Sequence, residues 1–199
     1  MLIILIGFPK AGTSSLHHLF KQLGMDSSHG GAGDPGCLGD ILRTKYESTG
    51  NLLDDAPPDA AWCELTGPWH WPRLFFPQLL FRQMAEERPD TLFILNYRNP
   101  DSLLSSWRRW SPNLCEAMLK YRSDLLQSYK GSADARMKAF MVRHYCDVRS
   151  FFAERSDLKF IEIDIEDGNI EPLGRYLDLG GITKLPHCNK NVMKPRSKD

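Results

Sequence analysis

Residues 2–15 read LIILIGFPKAGTSS. The apolar run of residues 2–6 is continuous and rich in β-branched side chains, which predicts a strand buried on both faces of a parallel sheet. The glycine-bearing turn that follows opens onto Thr13–Leu23, where apolar side chains recur at helical spacing. A strand, a turn and a helix in this order predict an α/β protein with a mostly parallel central sheet.

The rest of the chain repeats this alternation. Further strands are predicted at Ala60–Leu65, Thr91–Tyr97 and Leu158–Ile165. Helices are expected over residues 38–46, 72–87, 100–110, 114–129, 133–155 and 170–179. Residues 27–39 are rich in Gly, Ser, Asp and Pro and predict a loop. We therefore expect one domain over residues 1–199, with a loop-rich insertion at about 26–60 and a basic tail at 184–199.

Composition excludes several classes of function. The 25 Lys and Arg residues balance the 25 Asp and Glu residues, so no whole-chain field attracts nucleic acid or a membrane, and an anion site has to be local. The five cysteines are odd in number and form no CxxC pair, which favours free thiols in a reducing compartment over a zinc site or disulfide framework. No transmembrane segment or signal peptide is visible, and we expect a soluble cytoplasmic protein.

The turn at residues 7–15 carries groups suited to an anion. The N-terminus of the following helix presents backbone N–H groups and the positive end of the helix dipole. Gly12 lets the backbone approach a ligand closely, and Lys10 adds a full positive charge. Gly7 and Gly12 have the Walker A spacing, but Thr13 stands at the lysine position of that motif. A plain capped turn with a surface lysine is the alternative interpretation.

This segment resembles the 5′-phosphosulfate loop of sulfotransferases that use PAPS (3′-phosphoadenosine-5′-phosphosulfate), usually written PKxGTTxL. The resemblance implies a three-layer sandwich of the P-loop nucleotide-binding type, with PAPS as donor, PAP as product and no metal. It further implies that Lys10 stabilises charge on the bridging oxygen as the sulfuryl group departs. The residues that would hold the 5′-phosphosulfate are Pro9, Lys10, Ala11, Gly12, Thr13, Ser14 and Ser15.

A second element follows the strand at residues 91–97. Arg98 comes at its carboxyl end, where α/β sheets bind ligands, and Ser106 lies eight residues further on, about two turns into the next helix. An arginine alone at a strand end is more often a surface ion pair. The pair resembles the 3′-phosphate element of the same family, which implies that Arg98 and Ser106 bind the 3′-phosphate of PAPS.

Transfer to a hydroxyl or amine needs a group that takes the acceptor's proton, commonly a His or a carboxylate. Residues 64–69 read ELTGPW and resemble the E-K-[ST]-x-x-[YW] element of heparan-type sulfotransferases, which implies that Glu64 is the base. Here Leu65 replaces the lysine of that element, and a plain surface glutamate is the alternative. His17 and His70 are the competing candidates, and His18 is expected to be solvated.

The C-terminal segment 185–191, LPHCNKN, resembles a closing segment of many short sulfotransferases. Lys190 is the candidate for a contact to the 3′-phosphate, and a solvated basic tail is the alternative. Five tryptophans flank the predicted site, where they could stack on adenine, line an acceptor pocket or simply pack in the core. They are Trp62, Trp69, Trp71, Trp107 and Trp110.

The sequence thus predicts sulfuryl transfer from PAPS to a small-molecule, carbohydrate or peptide acceptor. A small P-loop kinase using ATP and magnesium is one alternative, which the displaced lysine disfavours. A module that binds PAPS or PAP without turnover is the other.

Overall fold

The computed structural model of this chain describes residues 1–30, 37–67 and 74–186. Five strands within these ranges form a single sheet in the order β2-β3-β1-β4-β5, and every neighbouring pair is parallel. The strands are β1 (Ile3–Leu5), β2 (Asp26–His29), β3 (Ala60–Glu64), β4 (Leu92–Tyr97) and β5 (Lys159–Asp164). The predicted α/β class with a parallel sheet is confirmed.

Helices cover both faces of this sheet. They are α1 (Thr13–Gln22), α2 (Leu38–Thr49), α3 (Phe81–Glu87), α4 (Pro100–Trp110), α5 (Leu114–Tyr121), α6 (Ser123–Leu126) and α7 (Ala133–Ala153), with 3₁₀ turns at Pro77–Leu80 and Glu171–Arg175. Alternate residues of β1 enter two separate cores, because successive side chains of a strand point to opposite faces. Ile4 packs in a core with α4 and α7, and Ile3 packs in a second core with α1. The result is a three-layer sandwich.

The structure corrects the predicted elements in several places. Residues 27–29, expected to be part of the loop at 27–39, belong to the edge strand β2, although the strand sequence DSSH has little β-propensity. The helix expected from residue 72 begins only at Pro77, since residues 74–76 are not helical and a residue before proline avoids the α conformation. The helix over 114–129 is interrupted at Arg122, and that over 170–179 is a 3₁₀ turn over 171–175.

The range 26–60, expected to be a loop-rich insertion, contains β2 and α2. Of its residues, 31–36 lie outside the described part of the chain, as do 187–199 of the predicted tail.

The strand order brings the predicted site residues to one edge of the sheet. β1 lies between β3 and β4, so the loop after β1 lies between the ends of its neighbours. Glu64 is the last residue of β3, and Arg98 follows the last residue of β4. Open α/β sheets bind ligands at such carboxyl ends. The topology therefore joins elements that are far apart in sequence.

No helix in the described ranges is long and apolar enough to cross a membrane.

We predict that Gly7→Ala destabilises the fold by about 1–3 kcal/mol, the usual cost of forcing extra atoms into a packed site. A Cβ at Gly7 would lie 2.4 Å from the carbonyl oxygen of Asn96 and 2.5 Å from its Oδ1. Urea unfolding measures the change. Gly174→Ala is the control, because its Cβ would meet only Leu179 Cδ1 at 3.7 Å. Equal stability of Gly7→Ala and the wild type would contradict this packing.

Candidate functional site

The loop after β1 is held by its carbonyl groups. Each carbonyl oxygen from Phe8 to Gly12 accepts a hydrogen bond from the protein. The donors are Ala11 N–H to Phe8 O (3.1 Å), Trp107 Nε1 to Pro9 O (2.7 Å), Arg98 Nη1 to Lys10 O (2.8 Å), Asn96 Nδ2 to Ala11 O (2.8 Å) and Leu16 N–H to Gly12 O (3.0 Å). The negative ends of these peptide dipoles are therefore all directed at protein donors.

Asn96 connects the two ends of this loop. Its Oδ1 accepts from the N–H of Gly7 at 2.8 Å, while its Nδ2 donates to the carbonyl of Ala11. The side chain is fully buried on β4, so both bonds form in a low-dielectric interior where they are strong and their loss is costly. One amide thus fixes the width of the loop.

Two residues of the loop have left-handed backbone. Gly12 has a φ of 72°, and a Cβ there would lie 2.8 Å from Ile165 Cγ2, so both conformation and space require glycine. Lys10 has a φ of 68°, which is costly for a long side chain and is typical of functional sites. Its ammonium lies 5.8 Å from the ring centre of Trp110, and its charge acts on both Glu64 and His29.

Glu64 is the most buried charge-bearing group of the site. The residue is only 6% exposed, and its Oε2 accepts a hydrogen bond from Thr13 Oγ1 at 3.1 Å. Burial raises the pKa of this carboxyl to about 8, although the Thr13 hydroxyl, the Lys10 ammonium and the backbone of Thr66 each lower it. The carboxyl is therefore poised to exchange a proton near neutral pH. The surface-glutamate alternative is wrong.

His29 joins the site although the sequence analysis did not single it out. Its Nε2 lies 3.1 Å from Thr13 Oγ1 and 3.2 Å from Ser14 Oγ. Burial and the positive charges of His17, His18 and Lys10 lower the pKa of His29 to about 4, so the imidazole is neutral at pH 7. The sequence predicts a loop where His29 ends the weak strand β2, so no local pattern marks this histidine.

Of the two competing histidines, the structure describes His17. His17 Nδ1 lies 2.8 Å from Ser27 Oγ, on the side of α1 that packs against β2, and no described hydrogen bond joins it to Glu64. His18 is exposed as predicted, and its Nδ1 lies 2.8 Å from the carbonyl of Ser14. His70 lies outside the described residues.

Arg98 and Ser106, the residues predicted to bind the 3′-phosphate, differ in burial and in their contacts. Arg98 is half-buried against the loop, where it also forms an ion pair with Glu166 at 3.4 Å. Ser106 is 2% exposed on the inner side of α4, and no hydrogen bond described here joins it to Arg98. Lys190 lies outside the described ranges.

The tryptophans divide between core and site. Trp62 and Trp107 are buried in the core, and Trp107 also anchors the loop through Pro9. Trp110 is 39% exposed beside Lys10. Trp69 and Trp71 fall outside the described ranges.

Cysteine chemistry is unfavourable at this site. Burial raises the pKa of Cys63, which neighbours Glu64, to about 12, so its thiol is not a nucleophile at neutral pH. Cys37, Cys63, Cys115 and Cys146 are free thiols, and Cys188 lies outside the described residues. Across the part of the chain that the structure describes, no cluster of His, Cys, Asp or Glu side chains could hold a metal ion.

Comparison with known proteins bears on this geometry. A family model described as a sulfotransferase domain matches residues 2–193, nearly the whole chain. No curated protein matches the sequence. The match concerns the family as a whole, and the closeness to heparan-type members stays a prediction.

We predict that Glu64→Gln stabilises the protein increasingly as the pH rises from about 5 to 9. A carboxyl whose pKa is raised to about 8 in the folded state stabilises the fold while protonated, below its unfolded pKa. That stabilisation is lost as the pH rises through the folded pKa. Gln keeps the neutral form at every pH, so the difference in Tm between variant and wild type grows toward alkaline pH.

Thermal unfolding across the pH range checks this. Glu47→Gln, at an exposed position on α2, is the control. A Tm difference for Glu64→Gln that is constant with pH would show that Glu64 ionises normally in the folded protein.

Proposed function

The chain belongs to the sulfotransferase domain family, and from this premise we propose that it transfers the sulfuryl group of PAPS to a hydroxyl or amine of an acceptor and releases PAP. The acceptor is a small molecule, a carbohydrate or a peptide side chain. We propose further that the loop of residues 9–15 binds the 5′-phosphosulfate.

The observation that carries this proposal is the orientation of the loop carbonyls. Because protein donors engage every carbonyl from Phe8 to Gly12, no loop acceptor in this run is left to repel an anion. The N-terminus of α1 follows at Thr13, where amide N–H groups and the helix dipole favour negative charge. Together with the Lys10 ammonium, the loop fits the phosphosulfate end of the donor.

Lys10 supports the departure of the leaving group. As the bond between sulfur and the bridging oxygen breaks, negative charge moves onto the 5′-phosphate of PAP. A cation placed in advance stabilises that charge, and such a donor is worth about 3–4 kcal/mol. Arg98 holds the carbonyl of Lys10, whose backbone is left-handed, and the Lys10 ammonium lies 5.8 Å from the ring centre of Trp110.

Glu64 accepts the acceptor's proton in this scheme. The acceptor oxygen or nitrogen forms the new bond to sulfur while its proton passes to a carboxylate oxygen of Glu64. The base has to be ionised at the start of the cycle, and Thr13 and Lys10 both favour the ionised form. A pKa near 8 makes the carboxylate a stronger base than an ordinary glutamate.

Specificity for PAPS over ATP rests on the 3′-phosphate. An arginine fork and a hydroxyl suit a phosphate dianion, and we assign these roles to Arg98 and Ser106, with Lys190 as a further contact. Engagement of a phosphate by Arg98 competes with its ion pair to Glu166, which is partly exposed and therefore weak.

The first test compares nucleotides and then activity. PAP is expected to raise the Tm, while ATP with magnesium leaves it unchanged. Radiolabelled PAPS incubated with a panel of alcohols, phenols, saccharides and tyrosine peptides is expected to label one class. Glu64→Gln is expected to abolish labelling and keep PAP binding, because Gln preserves size but takes no proton. Glu47→Gln is the control.

A Tm increase with ATP and magnesium alone would indicate a kinase instead. PAP binding without labelling of any acceptor would indicate a module without turnover.

The second test separates the two phosphates of PAP. We predict that Arg98→Ala weakens PAP binding at least tenfold more than it weakens binding of adenosine 5′-monophosphate, which lacks the 3′-phosphate; tenfold corresponds to about 1.4 kcal/mol. Calorimetric titration of both nucleotides measures this. Arg109→Ala, at an exposed position on α4, is the control. Equal losses for the two nucleotides would mean that Arg98 acts on the loop alone.

A further inference from the structure

The contacts of His29 form a continuous chain to the proposed base. His29 Nε2 lies 3.1 Å from Thr13 Oγ1, and Thr13 Oγ1 lies 3.1 Å from Glu64 Oε2. Three elements supply the three groups, namely β2, the first residue of α1 and the end of β3. The imidazole is half-buried, while Thr13 and Glu64 are buried. These hydrogen bonds therefore connect the rim of the site, at His29, to its interior, at Glu64.

An irregularity in the sheet produces this alignment. β2 pairs regularly with β3 up to Ser28, opposite Trp62, and the register then shifts so that His29 stands level with Glu64 instead of Cys63. Bulges of this kind redirect side chains and are over-represented beside active sites. Without the shift, His29 and Glu64 would not be at the same level of the sheet.

The single hydroxyl proton of Thr13 determines which group donates in each of these two hydrogen bonds. Thr13 has a single hydroxyl proton, and Glu64 accepts it when ionised. The Thr13 oxygen then has only lone pairs to offer His29, so the Nε2 of His29 has to carry a proton and donate it. Ser14 Oγ, at 3.2 Å from the same nitrogen, can share that donor. A neutral imidazole meets this requirement in its Nε2–H tautomer.

The charged and titratable groups around these three residues favour the same direction, with His29 donating to Thr13 and Thr13 donating to Glu64. His17 and His18 from α1 and Lys10 from the loop face His29 and disfavour its protonated form. Lys10 faces Glu64 and favours the ionised carboxylate, and Cys63 beside it stays a neutral thiol. Above about pH 8, where Glu64 is ionised, these three residues therefore have a neutral donor at one end and an anion at the other.

We propose that His29 is a positioning residue for the transfer reaction: its Nε2–H holds the Thr13 hydroxyl with the proton directed at Glu64, and this stabilises the ionised base. The proposal rests on the proposed function for the role of Glu64 as base. The orientation of the hydroxyl is a property of the protein without donor or acceptor, so it can be tested separately.

The test is a titration of Glu64 followed by carbon-13 NMR of its side-chain carboxyl, assigned with Glu64→Gln. His29→Ala leaves the Thr13 hydroxyl to rotate, and the Glu64 midpoint is expected to rise by roughly one pH unit, a tenfold loss of carboxylate near pH 7. His29→Gln should restore the wild-type midpoint, because an amide N–H can replace the Nε2–H. His18→Ala, at an exposed histidine on α1 that lies against the Ser14 carbonyl, should leave the Glu64 midpoint unchanged.

Coupling to Thr13 is tested by a double variant. Thr13→Val removes the hydroxyl, so adding His29→Ala to it should produce no further rise of the Glu64 midpoint. A purely structural role of His29 would move the midpoint in both backgrounds or in neither. Either outcome overturns the proposal, as does a His29→Gln variant that shifts as far as His29→Ala.

A measurement on the wild type guards against variants that fail to fold. Nitrogen-15 shifts of the His29 ring report its tautomer, and the Nε2–H form is expected at pH 9, where Glu64 is ionised. An Nδ1–H tautomer would overturn the proposal. Loss of the proposed function has a different signature: PAPS would label no acceptor, while the tautomer and the midpoint shifts would remain as described.

Discussion

The inward hydrogen bonding of the loop carbonyls is the constraint on which this site depends. A loop that binds an anion has to present donors and hide acceptors, and a short backbone turn cannot do both alone. Here Asn96, Trp107 and Arg98, from β4 and the segment that follows it, supply three of the five donors. Because Asn96 also accepts from Gly7, the same side chain fixes both the entry and the exit of the loop.

This architecture explains why a carboxyl with a raised pKa can exist at the end of the sheet. Glu64 terminates a strand that is buried along its whole length, so its carboxyl is removed from water. Desolvation alone would keep it protonated, and the Thr13 hydroxyl and the Lys10 ammonium oppose that effect. The loop proposed to bind the donor thus also adjusts the proton affinity of the neighbouring carboxyl.

The sequence predicted the parts of the fold that have strong local patterns. The apolar runs at β1 and β4 identify central strands, and the turn of residues 7–12 lies between β1 and α1 as the sequence predicts. β2 was missed because DSSH has no apolar alternation, and pairing with β3 alone makes it a strand. His29 was missed for the same reason, since no local pattern marks the end of an unseen strand.

By itself, the sequence determined the family and picked out the candidate phosphate loop, its lysine and the candidate base, because these depend on residue types at short spacing along the chain. Only the tertiary structure decided which groups touch. Asn96 reaches a loop 85 residues away, and Thr13 meets Glu64 across 51 residues. Such contacts follow from the order of the strands and from one register shift, and neither of these is encoded in a local pattern.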